Sequence, residues 1–574
     1  MQKPGRYVGG EWNAVRKEWT IDKVKVCLAF PDTYEVGMSN LGLKILYGIL
    51  NERGDCLCER VFSPWRDFEA VLRSNNIDLF SLQSQTLIRK FDIVGFNLAY
   101  ELTFTNVLNI LSLGNIPLRS SERSDGDPLI VAGGPSVFNP EPMAEFVDAF
   151  LIGDGEEAVL EIIDLYKSWK NAIRNTPNHS LRSGSGQAQY AIRKRAGLLK
   201  DLARIKGVYV PSLYKVEYND DHTIKRFYPI EEGVPPVIEK RTVADLDSAF
   251  YPTRQIVRNI QIVHDRIAIE IMRGCKHACK FCQATCVYRP CRERSMEKIM
   301  ELAEDSYRQT GYDEISLLSL SSGDHSHIKE MIEELNRKFS GRSVSISVPS
   351  LRIEEITRDL PLLISRVKKA GLTFAPEAGS ESLRKNINKN IETGRLFDAA
   401  LESFKRGWNR VKLYFMMGLP GESDDDLHAI SKLVYAISDL RRGVAGKGAQ
   451  VAVSMNAFIP KPHSPFQLEP MDDTASLERK RSLVRGDIRS RIVELSFHSI
   501  NMSYIEAVLC RGDRRLSEAV YLAWKEGCRF DGWEESFNFE AWMKSFAVAG
   551  IDPAFYANRR RPASEILPWS FIRL

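Results

Sequence analysis

Apolar segments alternate with amphipathic segments along the first 170 residues of the chain. Short, nearly all-apolar runs predict β-strands, and residues 41–50 carry apolar positions at the spacing of an α-helix. The predicted strands lie at 23–30, 91–96, 129–134 and 149–153. Strands that are apolar on both faces are typical of a parallel sheet covered by helices. The pattern therefore predicts a doubly wound, Rossmann-like α/β domain over residues 1–170.

The pattern changes between residues 171 and 254. Residues 171–200 combine Ser, Gly, Pro and basic side chains, which is the composition of a solvated linker. Short alternating segments at 207–211 and 214–218, followed by turn residues at 219–221, predict small antiparallel strands. We expect this region to connect two larger domains.

A second alternation of strands and helices begins at residue 266. The predicted strands lie at 266–273, 314–320, 343–349, 371–376, 410–416 and 450–459. Each of the first five precedes a helix-like stretch, so the pattern predicts a partial (β/α)6 barrel over residues 255–475. In such barrels the functional site lies at the carboxyl ends of the strands. Residues 476–574 are expected to be mainly helical, and their cationic runs at 511–515 and 559–561 to form ion pairs or to contact an anionic substrate.

Composition excludes several classes of protein. The 574 residues are 44% hydrophobic and 27% charged, which is ordinary globular usage. A net charge of +4 provides no global basic field, so a nucleic-acid partner stays open but unsupported. The amino-terminal segment lacks the apolar core of a signal peptide, and no run of about 18 apolar residues occurs. We therefore expect a cytoplasmic protein without a membrane partner.

Five of the ten cysteines lie between Cys275 and Cys291. Cys275, Cys279 and Cys282 form a CxxxCxxC loop directly after the first predicted barrel strand. Three thiolates can ligate three irons of a four-iron cluster and leave the fourth iron open to a substrate. A structural zinc site is the alternative, because Cys286 or Cys291 could supply a fourth thiolate, although zinc sites prefer two separated CxxC pairs.

Together with the aromatic Phe281 before its last cysteine, this loop resembles that of the radical S-adenosylmethionine (SAM) superfamily. The resemblance covers residues 255–475 and implies that the three cysteines bind a 4Fe–4S cluster. It further implies that the open iron takes the amino and carboxylate groups of SAM. One-electron cleavage of SAM would then give a 5′-deoxyadenosyl radical that abstracts hydrogen from a substrate. A reductant such as flavodoxin or ferredoxin is the implied partner.

Motifs at the later strand ends follow the order of the superfamily. The second end carries a glycine-containing, acid-ending motif like the one that meets the methionine amino group. The third carries an arginine that could pair with the SAM carboxylate or form a surface ion pair. The fourth carries an acid resembling the one at the ribose hydroxyls, and the fifth a glycine resembling a backbone contact to the adenosyl group. In that order these residues are Ser322, Gly323 and Asp324, then Arg352, Glu377 and Gly418.

The amino-terminal domain has its own glycine-rich strand ends, where open α/β sheets bind ligands. The candidate residues there are Asp32, Tyr34, Gly37, Gly133, Gly134, Gly153 and Gly155. With the downstream barrel, these loops resemble those of cobalamin-binding radical SAM proteins, and residues 30–42 resemble one uncharacterised subfamily. Many such domains use Asp-x-His-x-x-Gly, whose histidine ligates cobalt, and Tyr34 stands in the place of that histidine. Bound cobalamin is therefore expected to lack a protein histidine on its lower face.

The resemblance implies a radical SAM enzyme, and the favoured reaction is cobalamin-dependent methylation of an unactivated carbon. Cobalamin-associated cyclisation, rearrangement or oxidation are alternatives. A methylthiotransferase-like modification is another, although Cys27, Cys56 and Cys58 offer no convincing set of ligands for a second cluster. A non-catalytic metal-binding scaffold is the alternative from a different class, and it predicts zinc, or a cluster without SAM cleavage. The sequence identifies neither the substrate nor a residue that acts on it.

Overall fold

The computed structural model describes residues 1–175, 195–349 and 372–574. The chain forms two compact units. Unit 1 contains residues 1–265, 509–552 and 564–574, and unit 2 contains residues 266–508 and 553–563. The last hundred residues, which the sequence analysis treats as one region, therefore contribute to both units. Both units are mixed α/β, as predicted.

Unit 1 is built around a six-stranded sheet. Its strands are β1 (Val24–Phe30), β2 (Cys56–Phe62), β3 (Ile93–Asn97), β4 (Leu129–Gly133), β5 (Ala149–Leu151) and β6 (Val208–Tyr209). Their order is β2-β1-β3-β4-β5-β6, with β1 to β5 parallel and β6 antiparallel to β5. The order 2-1-3-4-5 is that of flavodoxin-like sheets, in which the connections reverse between β1 and β3. The Rossmann-like prediction is confirmed, and this reversal marks where such sheets bind ligands.

Strand β2 is absent from the predicted strands because two charged residues interrupt its apolar positions. All seven of its residues are nevertheless buried. Arg60 Nη2 donates to Glu11 Oε1 over 3.0 Å, and Glu59 Oε2 accepts from Ser84 N over 3.1 Å. Partners for both charges lie outside the strand, so the local pattern could not show that this edge of the sheet is covered.

Helices cover this sheet between its strands. They are α1 (Tyr34–Gly37), α2 (Leu41–Glu52), α3 (Arg66–Ser74), α4 (Phe104–Leu113) and α5 (Ala158–Asn175), and residues 195–202 are also helical. Helix α2 begins at Leu41, because the Asn40 side chain accepts a hydrogen bond from Leu43 N over 2.9 Å. The expected linker at 171–200 begins within α5, and its part from 176 to 194 lies outside the described residues.

A small hairpin follows the main sheet of unit 1. Strand β7 (Tyr214–Tyr218) pairs antiparallel with β8 (Ile224–Pro229), which confirms the prediction around the turn at 219–221. Strand β9 (Ile238–Glu239) pairs in parallel with the carboxyl-terminal strand Ile572–Arg573. Backbone hydrogen bonds thereby attach the carboxyl-terminal residues to the segment 238–240 of unit 1.

Unit 2 contains all six predicted barrel strands as two parallel sheets. The first sheet joins β10 (Ile267–Glu270), β13 (Glu314–Leu318) and β14 (Ser345–Ser347). The second joins β15 (Leu372–Glu377), β16 (Arg410–Met417), β17 (Gln450–Ala457) and β18 (Val493–Phe497). A two-stranded antiparallel ribbon, β11 (Met272–Arg273) with β12 (Arg292–Glu293), follows β10. Strands and helices alternate, as the barrel prediction requires.

Helices connect these strands. In chain order they are α6 (Ala284–Val287), α7 (Met296–Thr310), α8 (Ile328–Lys338), α9 (Glu381–Asn386), α10 (Thr393–Lys405) and α11 (Asp424–Ala445). Helix α11 begins at a capping box, in which Ser423 Oγ and the Asp426 carboxylate each bond to the other residue's backbone N–H. This cap fixes the start of α11, which follows the end of β16.

The carboxyl-terminal region is mainly helical, as predicted, but it includes strand β18. Its helices are α12 (Thr474–Asp487), α13 (Ile500–Arg511), α14 (Leu516–Lys525), α15 (Phe539–Val548) and α16 (Pro553–Ala557). Strand β18 alternates half-buried and exposed residues over only five positions. So short an alternating stretch does not predict a strand reliably. The cationic run at 511–515 forms ion pairs: Arg514 Nε lies 3.1 Å from Glu141 Oε2, and Arg515 Nη2 lies 2.6 Å from Asp513 Oδ2.

We expect Gly134→Ala to lower the stability of unit 1 by about 1–3 kcal/mol, because it strains the backbone. Gly134 has φ of +113°, and an added Cβ would lie 2.7 Å from Leu98 O. Gly54 has open space around its Cβ direction, so Gly54→Ala is the matched control and should change stability little. Thermal unfolding followed by circular dichroism measures both. Equal melting temperatures for the two variants would contradict this account of Gly134.

Candidate functional site

The cysteine loop leaves the carboxyl end of β10 and is closed by the β11–β12 ribbon. Met272 pairs with Glu293 at the base of this ribbon. Gly274 starts the loop with φ of +93°, and a Cβ there would lie 2.7 Å from Tyr288 O. Only glycine accommodates both the conformation and the close approach. Residues 274–291 therefore form a closed loop at the carboxyl end of the first barrel strand.

The three cysteines of the motif lie in this loop. Cys279 is buried, whereas Cys275 and Cys282 are partly exposed, and Cys282 N donates to Cys279 O over 3.1 Å. Across the described ranges, no three His, Cys, Asp or Glu side chains converge on one metal ion. A four-iron cluster does not need that convergence, because each thiolate binds a different iron. Three thiolates with no fourth ligand in the motif thus fit such a cluster with one open iron.

Hydrogen bonds attach the loop to the segments that follow later strands. Lys280 N donates to Ile387 O over 3.0 Å, and Lys280 O accepts from Phe466 N over 3.1 Å. Asn388 Nδ2 donates to Ala278 O over 2.8 Å. The backbone of the cysteine loop is therefore held on both sides by regions far away in the sequence.

The ring of Phe281 packs against a buried apolar group that we call the strand-end cluster. Its members are Ala378, Leu383, Ile387, Leu419, Phe458 and Phe466, with Met416 packed beside them. Ala378 directly follows β15, Leu419 lies just after β16, and Phe458 directly follows β17. Phe281 thereby brings the cysteine loop to the fourth, fifth and sixth strand ends, of which the fourth and fifth carry the predicted SAM residues Glu377 and Gly418.

The second strand end also approaches the cysteine loop. Lys276 Nζ donates to Asp324 O over 2.8 Å, and His277 Nε2 lies 2.8 Å from Asp324 Oδ2. Ser322 is fully buried and its Oγ donates to the backbone of β13, whereas Gly323 is partly exposed. Of this predicted motif, the structure places Asp324 beside the loop and turns the Ser322 hydroxyl into the fold.

Glu377 occupies an unusual backbone conformation at the end of β15. Its φ is +69°, and the pairing of β15 with β16 is irregular between Phe374 and Glu377. Lys389 Nζ lies 3.9 Å from the Glu377 carboxylate. A non-glycine residue with positive φ costs about 1–3 kcal/mol and is found preferentially at ligand sites. This strain supports Glu377 as a ligand-facing residue.

Gly418 is fixed by a buried ionic network that the sequence analysis missed. Gly418 N donates to Glu422 Oε2 over 2.7 Å, and Lys480 Nζ lies 2.8 Å from both Glu422 Oε2 and Asp472 Oδ2. Burial raises the pKa of Glu422, although Lys480 acts in the opposite direction. Glu422, the acid in the run Gly-Leu-Pro-Gly-Glu, was the available sequence signal for this network. Its partner Lys480 lies 58 residues later.

Three further residues were named as candidate ligands from the sequence: Arg352, Cys286 and Cys291. Arg352, proposed for the SAM carboxylate, lies outside the described residues. Cys286 lies in α6 and Cys291 directly precedes β12, and both are partly exposed.

In unit 1, Asp32 lies just after β1, at the reversal point of the sheet. Its Oδ1 accepts hydrogen bonds from Thr33 N over 2.6 Å and from Trp533 Nε1 over 2.9 Å. Burial raises the pKa of the Asp32 carboxyl, and these hydrogen bonds oppose that rise. Asp32 is thus a partly buried acid at the place where flavodoxin-like sheets bind ligands.

Tyr34 and Gly37 pack against other residues of unit 1. Tyr34 is 1% exposed, its hydroxyl donates to Glu11 Oε1 over 3.2 Å, and its ring meets Phe62 edge-on. A Cβ on Gly37 would lie 2.3 Å from the Phe62 ring. The structure therefore gives both residues a role in the core.

The remaining predicted glycines divide into two kinds. A Cβ on Gly153, where φ is +106°, would lie 2.1 Å from Arg241 O, so this glycine permits backbone contact within the chain, as Gly134 does. Gly133 and Gly155 have only ordinary contact distances of 3.7 Å and 3.4 Å around a Cβ. Close backbone contacts within the chain therefore explain why Gly134 and Gly153 are glycines, without a ligand.

Three polar atoms at the same edge of the sheet were not predicted. Thr33 Oγ1, Ser63 Oγ and Asn97 Oδ1 are buried and lack a hydrogen-bond partner within the described part of the chain. They lie at the carboxyl ends of β1, β2 and β3. Buried polar atoms normally find a partner, so these atoms fit a polar ligand or ordered water at this edge.

Two protein-family models match parts of this chain. Residues 42–181 match the N-terminal family of radical SAM proteins, and residues 269–434 match the radical SAM superfamily. The chain therefore contains radical SAM domains, and it is a radical SAM enzyme. The prediction drawn from the cysteine loop is confirmed at this level.

Individual similar proteins share less than 30% sequence identity with this chain. The chain is 27% identical over 496 residues to the uncharacterized protein MJ0966 of Methanocaldococcus jannaschii, a match that covers 86% of this chain and 90% of that protein. The radical SAM methyltransferase TsrM of Kitasatospora setae, solved with cobalamin and a [4Fe-4S] cluster, is 12% identical, with a TM-score of 0.49 over 78% of this chain and 74% of its own. The hydrogenase maturase HydG of Carboxydothermus hydrogenoformans is 17% identical, with a TM-score of 0.27 over 43% of this chain and 56% of its own.

No helix within the described ranges combines the length and the apolar character needed to cross a membrane.

We expect Cys279→Ala to abolish cluster assembly, because it removes one of three iron ligands. Wild-type protein reconstituted anaerobically should hold about four irons per chain. Cys286→Ala is the matched control, since it removes a neighbouring thiol outside the motif, and it should retain iron and the visible absorption of the cluster. Loss of iron in both variants would contradict the assignment of three ligands and an open iron.

Proposed function

We propose that this radical SAM enzyme uses cobalamin to methylate an unactivated carbon. The observation that carries the radical SAM part is the packing of Phe281 in the strand-end cluster. It supports a site in which the cysteine loop and the SAM motifs act together. The methylation itself rests on the resemblance of the amino-terminal loops.

Several residues of unit 2 would have separate roles in binding and cleaving SAM. Cys275, Cys279 and Cys282 would hold the cluster, which when bound supplies the electron for SAM cleavage and a site for the SAM amino and carboxylate groups. Glu377 would accept hydrogen bonds from the ribose hydroxyls. Asp324 would accept a hydrogen bond from the methionine amino group. The strand-end cluster would exclude water from a reactive radical, and a flavodoxin or ferredoxin would provide the electron from outside.

Three features of unit 1 support cobalamin as its ligand. The sheet has the flavodoxin-like strand order, with its reversal between β1 and β3. Asp32 and the unpartnered atoms of Thr33 and Asn97 lie at that reversal and could meet polar groups of a ligand. Cobalamin held there would carry the methyl group. Tyr34 is turned into the core, so it would provide no ligand to cobalt.

We expect Glu377→Gln to weaken SAM binding about tenfold or more, because a hydrogen bond to a charged acid contributes about 1.5–3 kcal/mol. Isothermal titration of cluster-loaded protein with SAM under anaerobic conditions measures this. Glu333→Gln is the matched control, since Glu333 is exposed in α8, and it should bind SAM as wild type does. Unchanged affinity in Glu377→Gln would contradict the ribose role.

The cobalamin proposal predicts that the full chain retains a corrin. The protein is mixed with hydroxocobalamin under reducing, anaerobic conditions and desalted, and its visible spectrum is recorded. The expected spectrum is that of bound cobalamin without a coordinated histidine. If no corrin remains while SAM is still cleaved to 5′-deoxyadenosine, the amino-terminal unit is a substrate or partner module and methylation is abandoned. If zinc is bound and no SAM is cleaved, the metal-binding scaffold replaces both proposals.

A further inference from the structure

Unit 1 contains a cavity of about 190 Å³ to which the predicted motifs contribute only Gly37. It lies between one face of α2, the middle of β2 and the segment 250–256. Its lining reaches from Gly37 and Met38, before α2, to Glu52 at the end of that helix. The cavity therefore runs along a helix face and shares only Gly37 with the strand-end candidates discussed above.

Lys44 contributes a cation to this cavity without a carboxylate to balance it. Lys44 Nζ donates to the side-chain oxygen of Gln255 over 3.3 Å, and it forms no ion pair with any described residue. Burial, together with the nearby charge of Arg60, lowers the pKa of Lys44 to about 8. An amine in this position remains mostly protonated at pH 7 but gains from the approach of an anion.

Arg60 forms the inner wall and is already neutralised. It is 1% exposed, and its Nη2 lies 3.0 Å from Glu11 Oε1, but its buried Nε lacks a hydrogen-bond partner in the described ranges. At the outer end, exposed Glu52 and exposed Arg254 carry opposite charges. The charged groups around the cavity thus leave one net positive charge, which is that of Lys44.

The remaining wall is mostly apolar and aromatic. Tyr47, Phe250 and Tyr251 line it together with Leu43 and Ile256. Apolar cavities of roughly 150 Å³ are large enough to bind benzene. A ring or short aliphatic chain therefore fits this wall, provided that the ligand also satisfies Lys44.

We propose that this cavity binds a small organic monocarboxylate, with its carboxylate on Lys44 Nζ and its apolar part between Tyr47 and Phe250. A single uncompensated cation matches a single negative charge. A phosphate ester would bring a second charge into a buried site with no partner, which is unfavourable. The unpartnered Nε of Arg60 provides a further donor on the inner wall. The proposal is independent of the proposed reaction, because it needs neither SAM nor cobalamin.

The test compares 4-fluorobenzoate with its neutral isostere 4-fluorobenzamide. Fluorine NMR titration of the full-length chain at pH 7 measures both affinities. We expect the carboxylate to bind about tenfold more tightly, because its hydrogen bond to Lys44 is charge-assisted. Lys44→Met should remove this preference. Lys225→Met, which changes an exposed lysine of β8, is the matched control and should keep it. Equal affinities in wild type, or an unchanged preference in Lys44→Met, would overturn the proposal.

Two further measurements test the proposal if Lys44→Met fails to fold. Gln255→Glu places a carboxylate within reach of Lys44 and should suppress binding of 4-fluorobenzoate while sparing the amide. In wild type, the carboxylate preference should fall as the pH rises above about 8, because Lys44 then loses its charge, whereas Arg60 and Arg254 remain charged. Tighter binding of 4-fluorophenyl phosphate than of the carboxylate would overturn the choice of a monoanion.

Discussion

The contact between Phe281 and the strand-end cluster, together with the backbone hydrogen bonds of Lys280 and Ala278, determines where the cysteines lie. The loop from 274 to 291 has little regular structure, so its position depends on what it packs against. Dense apolar packing permits few alternative positions of a partly buried ring. Because Ala378, Leu419 and Phe458 come from three successive strand ends, one aromatic side chain relates the cysteine loop to all of them. The geometry expected for SAM depends on this contact.

Buried charge has a positioning role in both units. A buried ion pair contributes little net stability, since desolvation offsets the attraction, but removing one partner is costly. In unit 2 the pair of Glu422 with Lys480 fixes the backbone of Gly418. In unit 1 the pair of Glu11 with Arg60 lets a charged strand lie inside the fold, next to the cavity of Lys44. These pairs hold strand ends and walls that apolar packing alone would leave free to shift.

Local patterns predicted most of the fold, and the failures at β2 and at Glu422 have a common cause. The apolar strands of both units and the cysteine loop are visible in the sequence because their signals lie within a few consecutive residues. Strand β2 and the Glu422 network are not, because the partners of their charges lie far away along the chain. Lys480 lies 58 residues after Glu422, and Gln255 lies 211 residues after Lys44. Such pairings follow from tertiary structure, which no local period encodes.

Glycine in a strand-end loop is weaker evidence for a ligand than the sequence suggests. Gly134 and Gly153 are required because the backbones of Leu98 and Arg241 pass within 3 Å of their missing side chains. The same residue would be required if a cofactor passed at that distance, so the residue type alone does not separate the two cases. A buried polar atom without a partner is stronger evidence, because internal packing does not satisfy it and a polar ligand or ordered water is needed. Asp32 and the unpartnered atoms beside it are therefore the main support for a ligand at the β1–β3 reversal.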